Sequence, residues 1–138
     1  MLSNRRGRAA TLAAIVASIA WGCGRPAAPP LAEQPPEQTA LRQVGEMYAT
    51  FAEQHGRPPR GEADLATYAP AFSHGSMALV NRQVVVAWGA GLVPGSGSVL
   101  AHEKDVAKAG GPVLLQDGET IRVMTADEFK AAPKAGGK

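Results

Sequence analysis

Residues 39–55 carry one continuous apolar stripe, the strongest helical pattern in the chain. Its members recur at i, i+3, i+7, i+10 and i+11: Leu41, Val44, Tyr48, Phe51 and Ala52. This spacing places them on one face of an α-helix. Thr39 suits the N-cap, Gly56 suits the left-handed residue beyond the last turn, and Pro58 prevents continuation. The sequence therefore predicts an amphipathic helix over 39–55 that must bury one face.

The rest of the chain offers only short elements to pack against that helix. A second short helix is predicted over 61–68. Strands are predicted over 83–88, 99–102, 113–116 and 120–124, with a further one over 77–80 paired to 83–88 across Asn81-Arg82. Only 5% of the 138 residues are aromatic, so the core must be small and built from Val, Leu, Ala and Met.

The C-terminal part contains the two most specific local signals. Asp117-Gly118 lies between two apolar runs and predicts a hairpin turn, because both residue types tolerate positive φ. Thr125 and Glu128 have the spacing of a capping box, which predicts a short terminal helix over 126–131.

Together these patterns predict one α+β domain over 39–132. It consists of a long N-terminal amphipathic helix packed on a small, mostly antiparallel sheet, with a C-terminal Asp-Gly hairpin and a short terminal helix. Residues 133–138, rich in Gly, Lys and Ala, are predicted to be a disordered tail.

The first 22 residues have the organisation of a bacterial export signal. Arg5, Arg6 and Arg8 precede an apolar stretch over 9–20. A helix needs about 20 apolar residues to span the hydrocarbon core, so this stretch matches a signal peptide better than a membrane anchor.

The segment Ala20-Trp21-Gly22-Cys23 resembles the lipobox of bacterial lipoproteins. This resemblance implies that a diacylglycerol is attached to the sulfur of Cys23, which becomes the new N-terminus. Cys23 is the only cysteine of the chain. The partner implied is the membrane itself, reached through the lipid anchor, with the domain in the periplasm or at the cell surface. The alternative is ordinary cleavage after Ala20, which would leave a free thiol.

Residues 24–38 are predicted to form a linker, since five prolines lie among Ala, Glu and Gln. Such a composition favours extended polyproline II, a semi-rigid spacer.

The charge of the chain changes when the signal is removed. Fourteen basic and twelve acidic residues give a formal net charge of +2. Three arginines and no acid precede Cys23, so eleven basic residues would remain against twelve acidic ones, a net charge of −1. This balance gives no indication of nucleic-acid binding, which requires a basic patch.

Three stretches, 41–65, 99–105 and 110–129, together resemble the globular heads of type IV pilins and pseudopilin-like bacterial proteins. The likeness lies in the helix followed by Gly-Arg-Pro-Pro and in the closing order of Gly-Gly, apolar strand, Asp-Gly and strand. It implies a helix packed on a sheet. The long apolar N-terminal helix that assembles a pilus is missing, so filament assembly is not implied.

No residue pattern indicates catalysis, a cofactor or a metal. His102-Glu103 begins a zinc-protease signature, but Val106 occupies the position of the second histidine. Gly89-Ala90-Gly91 lacks the third glycine of a dinucleotide loop. The prediction is therefore a non-catalytic, lipid-anchored envelope protein, a structural or interaction module with an unidentified envelope partner. The alternative is a secreted or periplasmic small-ligand-binding domain using the Gly-rich loop 89–98 together with residues 102–105.

Overall fold

The structure, a computed structural model, describes residues 36–137. These residues lie in one compact unit, Glu33–Lys138. The predicted signal, Cys23 and the linker as far as Pro35 lie outside the described residues. The helices are α1 (Pro36–His55), α2 (Glu62–Leu65), α3 (Ser73–Val80), α4 (Val106–Ala109) and α5 (Ala126–Ala131), with a 3₁₀ turn at Ala66–Tyr68. The strands are β1 (Val84–Val86), β2 (Val99–Glu103), β3 (Gly111–Leu115) and β4 (Ile121–Met124).

Helix α1 buries the predicted stripe. Its core residues are Leu41, Val44, Met47, Tyr48 and Phe51. It begins at Pro36, three residues before the predicted start, so Thr39 lies inside the helix and is not its N-cap. A proline is tolerated in the first turn, where the backbone N–H that it lacks would have no partner within the helix. The helix ends at Gly56, which adopts a φ of +65° and donates its N–H to the carbonyl of Ala52 at 2.9 Å.

The Gly-Arg-Pro-Pro segment after α1 connects this helix to α2 through Asp64. The guanidinium of Arg57 lies 3.1 Å from the Asp64 carboxylate, and the backbone N–H of Arg60 donates to the same carboxylate at 2.8 Å. The Arg57 guanidinium also lies 4.8 Å from the centre of the Phe51 ring. These hydrogen bonds lower the pKa of Asp64, the largest effect coming from the Arg57 side chain.

The prediction of a strand over 77–80 is wrong, because these residues form the end of α3. Four consecutive apolar residues fit a strand or a helix equally well, and tertiary contacts decide between them. Here the backbone N–H of Gly75 donates to the side-chain oxygen of Gln43 at 2.9 Å. An added Cβ at Gly75 would lie only 2.8 Å from Cβ of Gln43, so α3 packs against α1 at a distance that only glycine permits.

The four strands form one antiparallel sheet in the order β1-β2-β3-β4. The expected α+β class is confirmed. One row across the sheet pairs Val85 with His102, His102 with Val113 and Val113 with Arg122. Successive side chains along a strand point to opposite faces, so the neighbouring rows face the other way.

Helices pack on both faces of the sheet and cover part of each. The larger core joins α1 and α3 to the sheet residues Val84, Val86, Leu100, Ala101 and Leu114. A smaller core contains Val99, Val106, Val113, Leu115, Met124 and Phe129, and so lies between the sheet and the helices α4 and α5.

The predicted disorder of residues 133–138 is wrong for Pro133–Ala135. Val99 donates its N–H to the carbonyl of Pro133 and accepts from the N–H of Ala135, both at 2.8 Å. Lys134 forms a parallel bridge with Val99, and its ammonium lies 4.2 Å from the centre of the Phe129 ring while donating to the Phe129 carbonyl. Ala135 is 6% exposed. This segment satisfies backbone groups at the start of β2, where β1 does not reach.

Candidate functional site

A cleft of about 560 Å³ lies between the start of α1, helix α3, the start of β1 and the end of β2. We call it the acidic cleft. Its lining residues are Glu37, Ala40, Ser73, His74, Met77, Ala78, Gln83, Val84, Glu103, Lys104 and Asp105. The backbone N–H of Lys104 donates to the carbonyl of Gln83 at 2.9 Å, which holds the end of β2 against the start of β1.

Three carboxylates converge on the acidic cleft, from Glu37, Glu103 and Asp105, against the cationic side chain of Lys104 and the imidazole of His74. Partial burial raises the pKa of Glu103, and the nearby charges of Glu37 and Asp105 raise it further. Carboxylates thus outnumber lysine in the lining of the cleft, which also contains the apolar side chains of Ala40, Ala78 and Val84.

A second cleft, of about 430 Å³, lies on the other side of α3. We call it the apolar cleft. It is lined by Glu62, Ala63, Leu65, Ala66, Ala69, Ser76, Leu79 and Val80. Helix α3 contributes residues to both clefts, so it stands between them.

The three histidines lie at separate places. His55 stacks on Phe51 with ring centres 4.1 Å apart, whereas His102 contacts Phe129 edge-on at 4.6 Å. His74 lines the acidic cleft. Among residues 36–137, no three His, Cys, Asp or Glu side chains are placed to hold a metal ion. No helix in this part of the chain is long and apolar enough to cross a membrane.

The Gly-rich loop 89–98 is held in place by hydrogen bonds. The hydroxyl of Tyr48 donates to the carbonyl of Ala90 at 2.6 Å. The Gln116 side chain donates to the carbonyl of Gly91 at 2.9 Å and accepts from the Ser96 hydroxyl at 3.1 Å. No residue of this loop lines the acidic cleft, although residues 103–105 do. The structure thus does not bring the two predicted ligand-binding segments together in that cleft.

Asp117 and Gly118 lie in a turn over 116–120, longer than the two-residue turn that the dipeptide favours. The Asp117 carboxylate accepts from the backbone N–H groups of Glu119 at 3.0 Å and Thr120 at 2.8 Å, and from the Thr120 hydroxyl. Gly118 adopts a φ of +81°, whereas Asp117 does not have a positive φ. Burial raises the pKa of Asp117, but the hydrogen bonds from Thr120 and Glu119 outweigh it and leave that pKa below its usual value.

Thr125 and Glu128 form both hydrogen bonds of a capping box at the start of α5. The Thr125 hydroxyl accepts from the backbone N–H of Glu128 at 3.2 Å, and the Glu128 carboxylate accepts from the backbone N–H of Thr125 at 2.8 Å. These bonds lower the pKa of Glu128. The four turn and cap residues thus shape the fold and lie away from both clefts.

Sequence reasoning missed both clefts. The sequence predicts Glu37 in the linker and Met77 and Val80 in a strand, and no local pattern places these residues on one surface. One signal in the sequence is the apolar run 77–80. One face of a helix cannot bury four consecutive residues, so some of these side chains must be exposed if the run is helical.

The chain matches no protein-family model, no curated protein sequence and no solved structure in the comparisons made.

Proposed function

We propose that the chain is a lipid-anchored envelope protein whose α+β domain is a small, non-catalytic interaction module. The observation that carries this proposal is the position of Cys23. It is the only cysteine of the chain, and it follows a basic and apolar leader and precedes a Pro-rich linker. The two acyl chains of a diacylglycerol on this sulfur, or three when the new N-terminal amine is also acylated, suffice for stable membrane attachment, because each buried CH₂ contributes about 0.8 kcal/mol.

The resemblance to pilin-like heads supports the finer part of the proposal. In such heads a long helix packs on an antiparallel sheet, and an Asp-Gly hairpin lies near the end of the chain. Helix α1 and the β3–β4 pair are arranged in this order. The domain would therefore serve as a head carried on the linker.

The contacts of loop 89–98 favour the interaction module over the small-ligand-binding alternative. The side chains of Tyr48, Gln116 and Ser96 already occupy polar groups of the loop that a ligand would need.

The experiment that tests the proposal is the intact mass of the protein extracted from bacterial membranes. A mass equal to the chain from Cys23 onward plus a diacylglycerol, with or without a third acyl chain, is the expected result. An unmodified thiol at residue 23, with the leader retained or cut elsewhere, would contradict it.

A further inference from the structure

Helix α3 exposes two large apolar side chains to solvent. Met77 is 59% exposed and Val80 is 63% exposed, and they stand three residues apart on a helix of only eight residues. On the buried side of the same helix, Gly75, Ala78 and Leu79 complete the packing against the rest of the domain. The outer residues thus contribute little to the core of the domain itself.

Met77 and Val80 form a ridge that lies between the two clefts. Met77 borders the acidic cleft and Val80 borders the apolar cleft. A ridge of residues spaced by three with flanking grooves is the surface that helices present to one another when they pack. Burial of such apolar side chains is a main source of binding energy at protein interfaces.

The charged residues that line the two clefts favour a partner with a positive charge. Glu37, Glu103 and Asp105 line the acidic cleft, and Glu62 lines the apolar cleft. Lys104 is the only lysine or arginine among the residues that line either cleft. A basic partner is therefore attracted to this surface, and an acidic one is repelled.

From this combination we infer that the face made by Met77, Val80 and the two clefts, the α3 docking face, binds a basic amphipathic helix of another protein. The apolar side chains of that helix would pack beside Met77 and Val80, and one of its lysines or arginines would pair with the carboxylates of the acidic cleft. The inference rests on the proposed role as an interaction module and specifies the partner that this role requires.

The test uses the full mature protein, in zwitterionic nanodiscs if it is lipidated and in solution if it is not. The probe is a 14-residue peptide of leucine and lysine with the leucines at helical spacing and one of them replaced by photo-leucine. After illumination, mass spectrometry maps the cross-links, and the peptide concentration giving half-maximal cross-linking is measured. We expect cross-links on α3 and on residues 103–105.

Matched variants separate docking from non-specific capture. Val80→Ser and Glu103→Gln should each raise the half-maximal concentration about tenfold, the factor that corresponds to about 1.4 kcal/mol. The control Val93→Ser changes another exposed valine, on loop 89–98, and Glu119→Gln changes an exposed carboxylate on the β3–β4 turn. Both controls should leave the concentration unchanged, and an acidic twin of the peptide, with glutamate for lysine, should cross-link at least about tenfold more weakly.

Three outcomes would overturn the inference. These are cross-links that fall elsewhere or do not form, equal labelling by the acidic twin, and labelling of Val80→Ser or Glu103→Gln equal to that of the wild type. A separate experiment addresses self-association: cross-linking of photo-methionine at position 77 to another copy of the chain without any peptide would make the face an interface between copies and would also overturn the inference. None of these outcomes bears on the lipid at Cys23, so failure of the docking inference is distinguishable from failure of the anchor.

Discussion

Tyr48 lies in the middle of α1 with its ring fully buried and its hydroxyl 2.6 Å from the carbonyl oxygen of Ala90. Its ring also stacks on that of Trp88, with the centres 6.4 Å apart. Burial raises the pKa of Tyr48 to about 12, although hydrogen bonds with the backbone of Ala90 and Gly89 partly oppose the shift. One side chain thus joins the longest helix to the Gly-rich loop.

Tyr48→Phe should lower the free energy of unfolding by about 1–3 kcal/mol, because the buried carbonyl of Ala90 loses its donor. Urea denaturation monitored by circular dichroism measures this loss. The control is Tyr68→Phe, since the Tyr68 hydroxyl also makes a 2.6 Å hydrogen bond, to Gln54, but at an exposed position. Equal losses in the two variants would contradict the role assigned to the Ala90 contact.

Glu103 should make the stability of the domain depend on pH. Its folded pKa lies above the ordinary value of 4.5, so between these two values the folded chain binds more protons than the unfolded chain. The contribution of Glu103 to stability should therefore fall as the pH rises from 4.5 through the folded pKa of this group.

Glu103→Gln should reduce this decline, measured as the difference in urea midpoint between pH 4 and pH 7. The control is Glu119→Gln, which removes an exposed carboxylate on the turn. A variant of Glu103 with the wild-type pH dependence would show that the cleft carboxylates do not interact as described.

At the scale of elements, glycines set how closely the helices approach their neighbours. A Cβ at Gly45 would lie 2.3 Å from the carbonyl oxygen of Gly118, and one at Gly75 would lie 2.8 Å from Cβ of Gln43. Gly45 of α1 therefore allows the close contact with the β3–β4 turn, and Gly75 of α3 allows the close contact between α3 and α1. The nearest atoms in these contacts are a backbone carbonyl oxygen and a Cβ, which a side-chain rotation cannot move out of the way.

Gly75→Ala should destabilise the domain by about 1–3 kcal/mol, the usual cost of adding atoms to a packed site. The intrinsic preference of helices for alanine acts in the opposite direction, so a measured loss reports the contact with α1. Thermal denaturation compares it with Gly91→Ala, where an added Cβ meets no atom within 4 Å. A neutral or stabilising effect at Gly75 would show that α3 can move away from α1 at little cost.

The β3–β4 turn should be sensitive at both of its central positions. Asp117→Ala removes an acceptor of three hydrogen bonds and should lower the free energy of unfolding by on the order of 1 kcal/mol or more.

Gly118→Val should lower the free energy of unfolding by more than about 1 kcal/mol, because valine disfavours a φ of +81° and its Cβ would approach Leu92 to 3.2 Å. Gly97→Val, at an open position, is the control; unchanged denaturation midpoints for both turn variants would remove this account of the turn.

Elements with a local signal could be predicted from the sequence. The stripe of α1 is periodic, and the short strands combine β-branched residues with flanking glycines. Helix α3 could not be predicted, because its last four residues fit either period and the choice depends on the distant Gln43. The hydrogen bond between Ala135 and Val99 could not be predicted either, because the composition of residues 133–138 is typical of a disordered tail and Val99 is distant in the chain.

At the scale of the whole molecule, the acidic cleft is a feature that short sequence patterns cannot predict. Its carboxylates come from the start of α1 and the end of β2, which are far apart along the chain and are joined only by the packing of α1 on the sheet. The class of the fold follows from patterns within 20 residues, whereas the site follows from contacts between segments that no local pattern connects.

Cys23→Ser should abolish membrane association, because the residue that carries the proposed anchor is removed. Partitioning into a detergent phase, followed by immunoblotting, measures the effect. Val93→Ser, which changes an exposed residue of loop 89–98 away from the α3 docking face, is the control and should partition like the wild type. A Cys23→Ser variant that still enters the detergent phase would show that another segment holds the protein at the membrane.

The order of the strands in the sheet repeats their order in the chain. The connections over 87–98, 104–110 and 116–120 are short, so closing them costs little chain entropy. Contacts between segments close in sequence also accompany fast folding. We therefore expect the sheet to form from neighbouring hairpins, and the pairing of Val99 with residues 133–135, which joins segments far apart in the chain, to form after them.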